Sequence, residues 1–139
     1  MTVLGRSSDA VRTLYVDSFA LVTWDDRANV VRWTRTPAPF SSGKASIDSH
    51  VALRTAMQPA IAAGAALLFD VRMSPLRNDP EFDEIGKQYV DPLIAQFDKV
   101  AVLVATAMGK LQLSRLKRER LLKIEVFDDE ALALAHVGA

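Results

Sequence analysis

The chain has 139 residues, half of them hydrophobic, with 17 basic side chains against 17 acidic ones and no cysteine. That length suits one domain able to bury a core without metal or disulfide staples, and the lack of cysteine excludes thiolate zinc sites, disulfides and cysteine nucleophiles. Zero net charge gives the molecule as a whole no reason to adhere to nucleic acid or to an anionic membrane.

Residues 1–8 contain one arginine and no apolar core, so no signal peptide is read there, and residues 1–10 are expected to form a flexible N-terminus. The longest apolar stretch, residues 60–69, is too short to span a bilayer and is interrupted by Gly64. A single cytoplasmic domain without a transmembrane segment is the expectation.

In chain order, Phe19 to Trp24 and Val30 to Thr36 read as antiparallel strands joined by the polar turn Asp25-Asp26-Arg27-Ala28-Asn29. Pairing Asp26 with Asn29 puts Trp24 opposite Val31 and Val22 opposite Trp33, with all four side chains on one face. Thr13 to Val16 is read as a third strand upstream. Two prolines make residues 36–43 a loop. A helix is expected from Ser46, as N-cap, to Ala63, with Gly64 beyond its end and Ile47, Val51, Leu53, Met57 and Ile61 on its buried side.

Leu67 to Val71, Val100 to Thr106 and Ile124 to Phe127 are apolar runs of strand length, each preceded by a helix-length segment. That alternation predicts parallel strands covered by helices. Asp79 should cap the next helix, with Pro80 at its first position and Gly86 and Pro92 bending it along Phe82, Ile85, Tyr89, Leu93 and Phe97. A third helix, from about Met108 to Arg120, should bury Leu113 and Leu116. Asp128 or Asp129 should cap a last helix through Ala131, Leu132, Leu134 and Ala135. The fold class is therefore α/β, with a mixed sheet of four to six strands and about four helices.

The charges are segregated. Residues 79–98 hold six acids against Lys87, and residues 107–123 hold six bases against Glu119. The neutral total hides a dipolar surface, which predicts salt-sensitive self-association, most simply a dimer.

Strand hairpin, helix, Leu67-Leu68-Phe69-Asp70-Val71, helix, Val100-Ala101-Val102-Leu103-Val104, basic helix and the closing Phe127-Asp128-Asp129-Glu130-Ala131-Leu132 resemble the STAS, or anti-sigma-factor-antagonist, domain of bacteria over roughly Phe19 to Val137. The resemblance implies a regulatory domain that binds partner proteins, with some relatives holding nucleotides or lipids and few acting as enzymes. It also implies a phosphorylatable serine after the central strand, in a serine, small residue and glycine pattern. This chain lacks that pattern and opens the helix with Asp79-Pro80.

The partner-binding or regulatory candidates are Asp70, Arg72, Ser74, Arg77 and Asp79 in the loop after the central strand, and Arg115, Lys117 and Arg118 on the basic helix. Ser74 between two arginines suits a regulatory hydroxyl or an anion site, although a turn serine before Pro75 explains the same residues. Asp79 is equally well a helix cap. The bases of the third helix do not form one narrow stripe and have no aromatic residues for base stacking, which argues for a protein partner over nucleic acid. Trp24, Trp33 and Phe40 are candidates to line a pocket for a small apolar or lipid ligand, or simply to fill the core. His50 and His136 lie in no metal-ligand spacing, and no nucleophile, base and orienting group assemble from the spacing. A non-catalytic, cofactor-free regulatory or scaffold domain is expected, with a ligand carrier or sensor as the alternative.

Overall fold

The structure, a computed structural model, describes residues 11–75 and 79–138. The expected flexible N-terminus, residues 1–10, and Arg77 lie outside the described residues. Strands β1 (Val11–Val16), β2 (Ala20–Asp25), β3 (Val30–Arg35), β4 (Ala66–Asp70), β5 (Val100–Leu103) and β6 (Glu125–Phe127) form one sheet in sequence order. The first three are antiparallel and the rest run parallel to β3. The helices are α1 (Gly43–Ala62), α3 (Ala107–Arg120) and α4 (Glu130–Val137), together with residues 80–94, called α2.

The hairpin takes the expected register, Val22 opposite Trp33 and Trp24 opposite Val31. Val22, Val31 and Trp33 are fully buried. Asn29 adopts a left-handed conformation, φ 57°, that its short polar side chain tolerates. Its side-chain oxygen accepts from Trp24 Nε1 at 3.1 Å and its amide donates to the Ala63 carbonyl at 2.9 Å, tying the turn to the end of α1.

Each new parallel strand is added on the same side of the sheet as the last, so right-handed crossovers place α1, α2 and α3 on one face. There Leu53 and Met57 of α1 and Leu93 and Ile94 of α2 pack over Trp33, Leu67, Phe69, Val100 and Val102. The other face is covered by α4, whose Ala133 and Val137 meet Val30, Leu68, Ala101 and Leu103. Alternate residues along β4 and β5 thus enter different cores, which is why these strands read as unbroken apolar runs.

Some local expectations need correction. Ser42, not Ser46, caps α1, accepting from the Ala45 amide at 3.1 Å. Ser46 is instead buried one turn in, with Ser49 and His50. The buried side of α1 runs through Ser46, Ser49, His50, Leu53, Met57 and Ala60, and Val51 is 50% exposed. The rotation follows from Ser49, whose hydroxyl donates to Asp17 at 2.7 Å and draws a polar edge of the helix inward.

Asp79 caps α2 as expected, accepting from the Phe82 amide at 3.1 Å, with Pro80 following. The bend at Gly86 is a π turn, Gly86–Val90, closed by the Asp91 amide donating to the Gly86 carbonyl. The wider turn makes room for Pro92, which has no N–H and would crowd an α-helical carbonyl. Asp129 rather than Asp128 caps α4, accepting from the Leu132 amide at 3.2 Å. On α3, Leu113 and Leu116 are only half-buried and no residue is fully buried.

Candidate functional site

β4 ends at Asp70, and the loop that follows runs along the carboxyl edge of the parallel strands, where open α/β sheets place ligands. Asp70 is buried and binds two guanidinium groups. Arg32 Nη2 donates to its Oδ2 at 3.0 Å, and Arg72 donates to both oxygens at 2.8 and 3.0 Å. Glu130, the first residue of α4, accepts from the same two arginines at 3.1 and 2.7 Å. Burial alone would push the Asp70 carboxyl upward, but hydrogen bonds from Arg72 and Arg32 outweigh it and hold it below the usual range. Arg72 is therefore committed to fastening the loop and α4 to the sheet. A second anchor is Asp17, which takes four hydrogen bonds, from Tyr15, Ser49 and the amides of Phe19 and Ala20.

Two hollows meet at Ser74, which lines both. The smaller, about 290 Å³, lies beneath Pro39 and Phe40 of the proline loop, with Arg35, His50, Phe69 and Phe82 in its wall. The larger, about 920 Å³, is a groove between the 71–75 loop, the end of β5 and α3. Met108, Leu113, Arg115 and Leu116 line its helical side.

Phe40 belongs to the smaller cavity, in contact with Phe19 at a centroid distance of 4.5 Å. Trp33 lies fully buried behind that cavity, stacked on Phe69 at 3.8 Å and edge-on to His50 at 5.8 Å. Trp24 lies at the opposite end of the hairpin, beside Arg12 and Asn29. The three aromatic candidates therefore share a side of the sheet but do not share a cavity. Ser74 is half-buried, its amide donating to the Val71 carbonyl at 3.1 Å.

The acidic and basic segments partly satisfy each other within the chain. Arg120, at the end of α3, pairs with Asp83 and with Asp91 at 3.3 Å, and Lys117 pairs with Glu125 at 3.2 Å. Gly86 lies against the Arg120 guanidinium, 3.5 Å from where a Cβ would stand, so the π turn also accommodates this bridge. Arg115 reaches Glu119 at 3.5 Å, one turn along its own helix, and both are well exposed. Arg118 has no partner among the described residues.

Residues that pattern reading passed over are Arg35 and Arg120, and His50 carried less weight than it has. Arg35 precedes the proline loop, and its guanidinium lies over the Phe40 ring at 4.3 Å. An arginine at a strand end followed by an aromatic five residues later was the available signal. Among the described residues no three His, Asp or Glu side chains gather as a metal site, and no helix is long and apolar enough to cross a membrane. The chain has no significant match to any family model, curated protein or solved structure.

Proposed function

We propose that this is a non-catalytic regulatory or scaffold domain of the bacterial cytoplasm, built on the element order of STAS-like domains, that works by protein association through α3. The observation that carries the reading is the outer face of that helix. A 14-residue helix is marginal on its own and normally gains stability by burying an apolar face. α3 fully buries nothing and leaves Met108 63% and Leu111 68% exposed. With Arg115 and Arg118 these residues recur at i, i+3, i+7 and i+10, forming one strip that runs from the rim of the groove, at Met108 and Arg115, onto the outer side of the helix at Leu111 and Arg118. Leu121, at the helix end, is 88% exposed and adopts a left-handed conformation that glycine would take without strain. An apolar residue that costs backbone energy and buries nothing in the monomer fits a contact surface.

An apolar and basic surface suits an apolar and acidic one, and the chain carries such a surface itself. Ile47, Glu81 and Glu84 line a shallow hollow of about 410 Å³ where α1 meets α2, and Lys44, which also lines it, is paired with Asp48 at 2.7 Å. Both glutamates lack an ion-pair partner among the described residues. Placing the α3 side of one copy on that hollow of a second, and the reverse, gives a closed dimer.

Sedimentation velocity tests this. A weak dimer at low salt that dissociates as salt rises is expected, weakened by Arg118→Glu or Glu84→Lys alone and restored when both changes are combined. A monomer at every concentration and salt, or an oligomer indifferent to both changes, overturns the reading.

A further inference from the structure

We propose that the cavity beneath Phe40 is a binding site for a small ring-bearing organic acid, whose carboxylate pairs with Arg35 and whose hydroxyl or N–H donates to His50. This site is separate from the α3 surface and does not depend on it.

Arg35 is a cation without an ion-pair partner among the described residues. Arg35 Nε donates to the Phe19 carbonyl at 3.0 Å, and its guanidinium plane lies over Phe40, so the group is fixed in position. Its two terminal nitrogens have no acceptor among the described residues, although the side chain is half-buried and lines the cavity. Desolvation makes such a charge costly, and a guanidinium's fork of donors matches a carboxylate two bonds at a time. The nearby carboxylate, Asp17, is no substitute. It forms no ion pair with Arg35, and its oxygens already take four hydrogen bonds. The other guanidinium at the wall, Arg120, is held by Asp83 and Asp91. Among the described residues, Arg35 is therefore the guanidinium at the cavity without an ion-pair partner.

His50 supplies the complementary group. Only 5% of the residue is exposed. Its Nδ1 lies 2.7 Å from the Ser46 carbonyl, which can only accept, so Nδ1 carries the proton. In the neutral ring Nε2 is then a bare acceptor with no partner among the described residues. The imidazole and the Arg35 guanidinium flank the same ring, with centroid-to-centroid and Cζ-to-centroid distances to Phe40 of 5.7 and 4.3 Å.

Phe69, Phe82, Ile85 and Val90 give the cavity a largely apolar wall, to which Ser46, Ser74 and the ion-paired Arg120 add the remaining polar groups. A volume of about 290 Å³ is at the lower limit of ordinary small-molecule sites, roughly 300–1,000 Å³. That suits one ring with short substituents and is too small for a long acyl chain. Donor fork, lone acceptor and aromatic walls together describe a hydroxy-substituted aromatic or alicyclic acid.

The two tryptophans make the test internally controlled. Trp33 stacks on Phe69 and meets His50, both in the cavity wall, and its indole Nε1–H has no partner among the described residues, whereas Trp24 sits at the far end of the hairpin. Uniformly ¹⁵N-labelled protein is titrated with 4-hydroxybenzoate, its methyl ester, decanoate and inorganic phosphate. The expected result is saturable movement of the Trp33 indole signal by 4-hydroxybenzoate with Trp24 unmoved. The ester, decanoate and phosphate should each bind at least tenfold more weakly. Arg35→Gln should cost at least tenfold in affinity and His50→Phe a smaller loss. Because the ester comparison uses the unmodified protein, it stands even where a variant fails to fold. No saturable movement with 4-hydroxybenzoate, or equal binding of acid and ester, overturns the proposal. So does phosphate binding as tightly as the acid, which would mark a general anion site.

Discussion

Trp33 lies face to face with Phe69, ring centroids 3.8 Å apart and planes 15° from parallel, across the junction where the antiparallel hairpin meets the first parallel strand. The pair fastens the two halves of the sheet together at the centre of the larger core. Trp33→Ala should therefore cost about 3–5 kcal/mol, through lost burial and the cavity left behind. Trp33→Phe should cost much less, because the indole Nε1–H is a buried donor without a partner among the described residues, and its removal relieves a desolvation penalty. Urea titrations of the three proteins would decide it, and equal losses for Ala and Phe would contradict the packing argument.

The Asp70 cluster should behave asymmetrically. Asp70 is nearly enclosed, whereas Glu130, which accepts from the same two arginines, is well exposed. Asp70→Ala strands two guanidinium groups beside a buried position and should cost about 3 kcal/mol or more. Glu130→Ala should cost no more than about 1 kcal/mol. Comparable losses from both would show that the outer carboxylate, rather than the buried one, organises the loop.

His50 gives the fold a pH dependence with a definite sign. Burial pushes its imidazole down to about 4 from an ordinary 6.5; the Ser46 carbonyl opposes this, the Arg35 charge reinforces it and Asp17 weakly opposes it. Between those two values the unfolded chain binds the proton that the folded chain refuses, so stability falls as pH drops from 6.5 toward 4. The contribution between pH 7 and pH 5 is about 2 kcal/mol. Urea titrations at the two pH values should show that difference in the wild type and a smaller one in His50→Gln. An unchanged difference in the variant would remove His50 as its source. Asp17 and Asp70, both held below their ordinary range, release their stabilisation only at lower pH.

Leu121 offers a test of local strain. Its φ of 56° ends α3 in the left-handed region, and its side chain is almost fully exposed. Leu121→Gly should raise stability by about 1 kcal/mol in thermal melts of dilute protein, because strain is relieved and little burial is lost. The same change should weaken dimerisation, since it removes an apolar contact. A destabilised monomer would show that Leu121 contributes to packing within the chain.

What pattern reading could recover divides by the range of the forces involved. The Val22–Trp33 register, the Asp79-Pro80 helix start and the Gly64 helix end follow from a few neighbouring residues, and each stands as expected. Local sequence does not distinguish Ser42 from Ser46 as the N-cap of α1, because both are suitable caps. Contact of Phe40 with Phe19 and His50 carries the proline loop onto the core and favours the earlier serine. The buried side of α1 departs from the hydrophobic pattern because Ser49 and His50 are drawn inward by polar partners 32 residues or one turn away, which hydrophobic periodicity does not register. The π turn adds a residue to a helix that otherwise has ordinary spacing. The pairing of Arg120 with Asp83 and Asp91 spans 37 and 29 residues, so the segregated charges gave no hint that they partly close on each other. Arg35 is distinguished by terminal nitrogens that have no acceptor among the described residues, a property that exists only once the fold surrounds it.

If a second copy of the chain completes α3, hydrogen exchange at its amides must slow as protein concentration rises. With no fully buried residue, residues 107–120 should exchange rapidly in dilute protein, while the amides of β4 and β5 remain protected. As concentration rises at low salt, protection should increase in residues 107–120 and around Glu81 and Glu84, with β4 and β5 unchanged. Exchange in α3 that is the same at every concentration, or concentration-dependent protection confined to another surface, would rule out a dimer formed through α3.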